Sequence, residues 1–179
     1  MEPRDNPETL PEETQDIKDE TQKPMPKKIL VVDDNTDALR TAEAILKKAR
    51  YEVITLNNPK FIFKLIKHER PDVVVLDIIM PPLDGYTVCQ EIRKLYGDKI
   101  PVLLCTAQSY EQDLIQKAYK EFGANDYILK PVKSEEFLPK IKTLVKISKQ
   151  IKKKTQLTEQ RNKDEDRGQA GQNIQNQKP

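Results

Sequence analysis

The sequence predicts an α/β fold: a doubly wound parallel sheet of five strands with helices on both faces. Three observations predict it. Short continuous runs of Val, Ile and Leu recur through the middle of the chain. The stretches between them carry apolar residues at helical spacing. Polar groups of related chemistry follow the runs. Continuous apolar runs of strand length mark strands buried on both faces, and their alternation with helical segments marks βα units.

The elements follow in order. Ile29–Val32 reads as the first strand, and Tyr51–Leu56, more mixed, as an edge strand. Val73–Leu76, Val102–Cys105 and Tyr127–Leu129 complete the set. Between strands one and two, Ala38, Leu39, Ala42, Ile45, Leu46 and Ala49 share one helical face. Phe61, Ile62, Leu65 and Ile66 give a shorter second stripe, and Val88, Cys89, Ile92, Leu95 and Tyr96 a third. Leu114, Ile115, Ala118 and Phe122 predict the fourth helix. The fifth is expected to start after Ser134, as N-cap before Glu135 and Glu136, and to bury Phe137, Ile141, Leu144 and Val145. Pro139 within it predicts a kink or a shifted start. Right-handed crossovers make this series a doubly wound sheet, whose ligands bind outside the carboxyl ends of the strands.

Charge divides the 179 residues into three parts. Residues 1–26 hold three basic and eight acidic side chains, net −5, with five of the 13 prolines; this acidic N-terminal tail is expected to be disordered. Residues 27–150 form the folded domain. Residues 151–179 are expected to be a helix end and a flexible polar tail, rich in Gln, Asn, Lys and Asp from about Thr155. The total charge of +2 argues for neither nucleic acid nor membrane. No apolar run approaches the roughly 18 residues of a membrane helix, and no secretory leader is visible. Cys89 and Cys105 are too few for a disulfide scaffold and read as buried thiols of a cytoplasmic protein. The lone His68 leaves no histidine-based metal site and reads as a surface residue.

The strand ends carry the chemistry. Strand one ends in Asp33-Asp34, strand three in Asp77, strand four in Thr106-Ala107 and strand five in Lys130-Pro131. Alone, each has an ordinary reading as a turn, cap or surface charge. Together they put carboxylates, a hydroxyl and an ammonium on one rim. Clustered carboxylates repel unless a cation joins them, and an all-oxygen set suits Mg²⁺. A lysine and a hydroxyl facing the same spot suit a phosphoryl group, whose transfer rests on positioning and charge neutralisation. The run Asp33-x-Asn35-x-Asp37 opens like a calcium loop, but Ala38 and Ala44 stand where that loop needs Gly and Glu.

Four motifs together, KILVVDD over 28–34, DIIMPPLDG over 77–85, Thr106-Ala107 and GANDYILKP over 123–131, resemble the receiver domain of two-component response regulators. The resemblance implies a flavodoxin-like fold with strand order 2-1-3-4-5 and five flanking helices. It implies that Asp77 accepts a phosphoryl group from a histidine kinase or phosphotransfer protein. It implies Mg²⁺ held by Asp34 and Asp77 and the backbone carbonyl of Ile79, with Asp33 acting largely through water. Lys130 would pair with the phosphoryl group, Thr106 would turn to it, and the Tyr127 rotamer would follow. The Lys130–Pro131 peptide is expected to be cis. Ile79 and Gln108, two beyond Asp77 and Thr106, can neither orient a water nor act as a base, which predicts a phosphoryl group not lost very fast. The chain is expected to be a phosphoacceptor, not an enzyme beyond its own phosphotransfer and autodephosphorylation. Its partners would be the kinase and an unknown protein effector, with a possible homodimer through the face of the fourth helix, fifth strand and fifth helix. A phosphate-independent scaffold or dimerisation module, and a receiver fragment of a longer regulator, stay open as alternatives. The Lys149–Lys154 run reads as a solvated helix end rather than a nucleic-acid site, since no arginine or aromatic cluster accompanies it.

Overall fold

The computed structural model describes residues 25–107 and 121–175. Five parallel strands, β1 (Lys28–Val32), β2 (Glu52–Leu56), β3 (Val73–Asp77), β4 (Val102–Ala107) and β5 (Asp126–Lys130), lie in the order β2-β1-β3-β4-β5. This is the predicted order. β3 is buried along its whole length, and edge strand β2 is mixed.

Side chains alternate across a strand, so each strand feeds two cores. Leu30, Val32, Val74, Leu76 and Leu104 point to one face, where α2 (Ile62–Glu69) and α3 (Gly85–Tyr96) supply Ile62, Ile66, Val88 and Ile92. Ile29, Val31, Val75, Leu103 and Ile128 point to the other. There α1 (Thr36–Lys48) supplies Leu39, Ala42 and Leu46, and the C-terminal helix (Ser134–Gln175) supplies Phe137, Ile141 and Leu144. Cys89 and Cys105 are buried, one in each core; burial pushes their thiols up to about 11 and about 12.

Local chemistry fixes the helix starts. Asn35 Oδ1 accepts from Asp37 N at 2.9 Å and Ala38 N at 3.2 Å and so caps α1. The Asp33–Asp37 run is thus a strand end and a cap. Asp84 caps α3 through Thr87 N at 2.8 Å.

Two expectations need correction. Ser134 is not the N-cap: Phe137 N donates to Lys133 O at 2.9 Å, and Ser134 is the first helical residue, with its hydroxyl 2.9 Å from Glu135 Oε1. Pro139 lies inside the helix, where its missing N–H leaves the Glu135 carbonyl without an intrahelical donor. The helix does not end near Thr155 but continues to Gln175. Beyond Thr155 the sequence is polar, holds Gly168 and Gly171 and lacks an apolar stripe, so neither propensity nor periodicity announces this extension. The acidic N-terminal tail up to residue 24, Gln108 and most of the predicted fourth helix lie outside the described residues. No described helix is long and apolar enough to cross a membrane.

Candidate functional site

The strand order reverses between β1 and β3, and their carboxyl ends open on one crevice. β1 delivers Asp33 and Asp34 there, and β3 delivers Asp77. A ligand oxygen from each lies within 4.8 Å of the others. Lys130, at the end of β5, reaches across. Its Nζ is 2.6 Å from Asp33 Oδ2 and 2.9 Å from Asp77 Oδ1. Asp33 and Asp77 are buried, at 5% and 6% exposure, whereas Asp34 is exposed.

Hydrogen bonds aim the carboxylates. Asp33 Oδ1 accepts from Asn35 N at 3.0 Å, and Asp77 Oδ1 from Ile78 N at 2.9 Å. Burial is the largest influence on Asp77 and, with the charge of Asp33, raises its carboxyl above the ordinary range; Lys130 and the Ile78 amide oppose this without cancelling it. Burial also works to lower the Lys130 ammonium, but its two carboxylates outweigh that and leave it raised. Behind the carboxylates lies a cavity of about 320 Å³, walled by apolar side chains that include Val31, Val75 and Phe137. This dry backing is what makes the charges costly.

The loop after Asp77 is fastened at both ends. Ile79 and Met80 pair antiparallel with Asp84 and Leu83, which fixes the Ile79 backbone two residues past Asp77. Gly85 N donates to Ile78 O at 2.7 Å. A Cβ on Gly85 would stand 2.1 Å from the Asp77 carbonyl oxygen. Only glycine allows that approach.

Thus Asp33, Asp34, Asp77 and Lys130 come together as expected. Thr106, 1% exposed, sits in register with Leu129 of β5, and among the described residues its hydroxyl makes only a long contact to Ala107 O at 3.4 Å. It is free to find a better partner. Tyr127 is half-buried on β5 in register with Leu104, and Lys140 Nζ lies 5.6 Å from its ring centroid. The Lys130–Pro131 peptide is cis, as expected, and so is Pro81–Pro82. The sequence reading quoted Gly85 without a role and passed over Arg93, which donates to the carbonyls of Gly123, Gly97 and Ile100 and to Asn125 Oδ1. The first was findable from its place after the capping Asp84; nothing marks the second.

Three carboxylates, with one ammonium to compensate them, leave net negative charge and only oxygen donors. That donor set fits Mg²⁺ and no thiolate- or imidazole-seeking metal.

A parallel five-stranded sheet with an acidic crevice and an invading lysine at its switch point defines a class of doubly wound α/β domain whose site lies at the carboxyl ends of the strands. Residues 29–142 match the model of the response regulator receiver domain, and the chain belongs to that family. It is 41% identical over 120 residues to the probable transcriptional regulator ycf27 of Cyanophora paradoxa, covering 67% of this chain and 48% of that one. It is 36% identical over 123 residues to the transcriptional regulatory protein AfsQ1 of Streptomyces coelicolor, covering 68% and 52%. The chain therefore spans about half the length of the curated relatives it matches. A putative response regulator from Chloroflexus aurantiacus superposes with a TM-score of 0.62 at 32% identity, covering 67% of this chain and 98% of that one. The BeF3-activated N-terminal receiver domain of Klebsiella pneumoniae RstA does so at 0.60 and 30%, covering 66% and 98%.

Proposed function

We propose that this receiver domain is phosphorylated on Asp77 by a histidine kinase or phosphotransfer protein and that the phosphoryl group switches a protein-binding surface. The observation that carries the reading is Lys130 Nζ seated between Asp33 Oδ2 at 2.6 Å and Asp77 Oδ1 at 2.9 Å, inside a three-carboxylate cluster. In the transfer an Asp77 carboxylate oxygen forms the bond to phosphorus as the bond from phosphorus to the donor imidazole nitrogen breaks. The electron pair stays on that nitrogen. Lys130 exchanges an Asp77 oxygen for a phosphoryl oxygen as partner and neutralises it. Asp33, Asp34, Asp77 and the Ile79 carbonyl would hold Mg²⁺, whose positive charge offsets that of the carboxylates and phosphoryl oxygens.

The chain is the kinase's substrate; beyond taking up and slowly losing its own phosphoryl group it has no turnover chemistry. Phosphorylation adds about −1.5 to −2 charge. The new charge-assisted bond from Thr106 contributes about 1.5–3 kcal/mol, a large part of the roughly 5.5 kcal/mol that inverts a 1:99 population, and the exchanged Lys130 bond fixes where the phosphoryl group sits. Tyr127 and the face of β5 and the C-terminal helix carry the change to an effector or a second copy. A transcriptional output, suggested by the names of the relatives, concerns their whole length; for these residues the output proposed is a protein contact.

Incubation with a small acyl phosphate or phosphoramidate should add one phosphoryl mass that is Mg²⁺-dependent and alkali-labile. Asp77→Asn should abolish it. Labelling of Asp77→Asn equal to the parent would overturn the assignment.

A further inference from the structure

At the base of the sheet, opposite the carboxylate crevice, lies a groove of about 510 Å³ between the ends of α2 and α3 and the C-terminal helix. Its floor is apolar: Ile66 and Ile100 are buried, and Tyr96 and Ile151 are half-buried. Its rim is cationic, with Lys67, Arg70, Lys99 and Lys152, against the single carboxylate of Glu159. Lys152 is engaged by Asp72 at 2.7 Å. Lys67, Arg70 and Lys99 are exposed and have no carboxylate partner among the described residues. An apolar floor ringed by free cations suits an acidic peptide with one aliphatic anchor.

This chain contains such a peptide, and its far end is tethered at the rim. Residues 1–24 carry eight acidic and three basic side chains. Five of the acids, Glu12, Glu13, Asp16, Asp19 and Glu20, fall within nine residues around Ile17. Lys27 Nζ and Lys152 Nζ approach the same atom, Asp72 Oδ1, at 3.5 and 2.7 Å, and Lys28 N donates to Asp72 Oδ2 at 2.9 Å. The chain therefore enters β1 beside the groove wall. Six residues of extended chain from Asp19 to Met25 span up to about 20 Å, ample to reach along it.

We propose that the acidic segment 12–20 of this same chain docks in the groove, with Ile17 on the apolar floor and its carboxylates against Lys67, Arg70 and Lys99. The segment would tie the start of the chain to the C-terminal helix at the end of the domain away from the phosphoacceptor. This contact stands apart from the phosphotransfer reading.

The test is zero-length carbodiimide coupling of carboxylates to amines in the full chain, mixing isotope-labelled and unlabelled copies and mapping the products by mass. The expected products join Asp16, Asp19 or Glu20 to Lys67 or Lys99 within one copy. High salt should suppress them, and Ile17→Ser should lower their yield several-fold. Reversing the five acids to lysine together with Lys67→Glu, Arg70→Glu and Lys99→Glu should restore coupling that either set alone abolishes. Products joining different copies would instead assign the groove to a second molecule. Yields indifferent to Ile17→Ser, or spread equally over Lys149 and Lys153, would mean nonspecific collisions. Either result overturns the proposal.

Discussion

Asp77 is a carboxylate kept in a place that disfavours its charge. Burial and Asp33 raise its carboxyl above the ordinary 3.8, and the Lys130 pairing recovers only part of the loss. A folded value above the unfolded one means that ionising Asp77 costs stability. The cost is absent below pH 3.8 and complete once the pH passes the folded value. Asp77→Asn keeps the shape and removes the charge, while Asp33 still satisfies Lys130. The variant should therefore melt higher than the parent at neutral pH, with the gap closing as the pH falls toward 3, in thermal melts followed by circular dichroism. A melting point lowered at pH 7 would show the charge to be stabilising. Gly85 is the opposite case, a residue whose value lies in what it lacks. Gly85→Ala forces a Cβ against the Asp77 carbonyl oxygen, at 2.1 Å before any relaxation. Since that neighbour is backbone and not a side chain, the loop itself must move. Urea unfolding should show a loss of about 2–3 kcal/mol, and phosphodonor labelling should fall with it. At this scale the sequence exposes Asp33, Asp34, Asp77 and Lys130, because their residue types at strand ends have few other joint purposes. It hides the reason for Gly85, because a glycine in a string does not say which carbonyl it faces.

Among the elements, strands were the easiest to read, since each needs only a continuous apolar run. Ends were harder. Ser134 has the chemistry of a cap, yet the Lys133 carbonyl opens the helix one residue earlier, and a side chain's preference does not reveal which neighbouring backbone turns first. The C-terminal helix shows the same limit. Phe137, Ile141, Leu144 and Ser148 are buried, and Ile151 and Thr155 half-buried, at alternating steps of four and three. Beyond Thr155 the stripe meets Thr158, Glu159 and Asn162, and the helix continues without it. Periodicity therefore reports packing and is silent where a helix stands in water. Arg93 was invisible for a related reason: a cation in the last turn of α3 already has an ordinary role beside the helix dipole. In the fold it donates to Gly123 O at 2.6 Å, Gly97 O at 3.0 Å, Ile100 O at 2.8 Å and Asn125 Oδ1 at 2.7 Å. Asn125 in turn takes Val102 N at 2.8 Å, so one guanidinium binds the end of α3 to the starts of β4 and β5. Gly123, at φ 72°, leaves room for the Arg93 stem. Arg93→Ala leaves the part-buried carbonyls of Gly123 and Ile100 without their donor and should cost about 1–3 kcal/mol in urea unfolding. Arg93→Lys should recover little, because a single ammonium cannot span the fork. Full recovery by Lys would reduce the site to a simple charge.

Across the whole molecule the C-terminal helix is the member out of proportion. Its 42 residues would extend about 63 Å, whereas a five-residue strand covers about 17 Å. It starts beside the carboxylate crevice, crosses one sheet face, and passes the base of the sheet near Ile151. There Lys152 meets Asp72, 80 residues away in sequence, at 2.7 Å. Burial works to raise the Asp72 carboxyl, but Lys152, the Lys28 amide and Lys27 outweigh it and hold it below the ordinary 3.8. A depressed folded value supplies stability that is present above pH 3.8 and is lost as the pH falls through the folded value. Since Lys152 is itself 46% exposed, solvent screens the pair and its share of global stability is small. Its effect should therefore be local. Hydrogen exchange should show faster exchange beyond Gln150 in Lys152→Ala, with β3 and β4 as protected as in the parent. Acidifying the parent below the Asp72 transition should reproduce that pattern, and acid should add nothing further to Lys152→Ala. If exchange beyond Gln150 is already fast in the parent at neutral pH, the ion pair does not hold the helix to the base. If β3 loosens with it, the helix and the sheet unfold as one body, and the extension is as much a part of the fold as the strands it crosses.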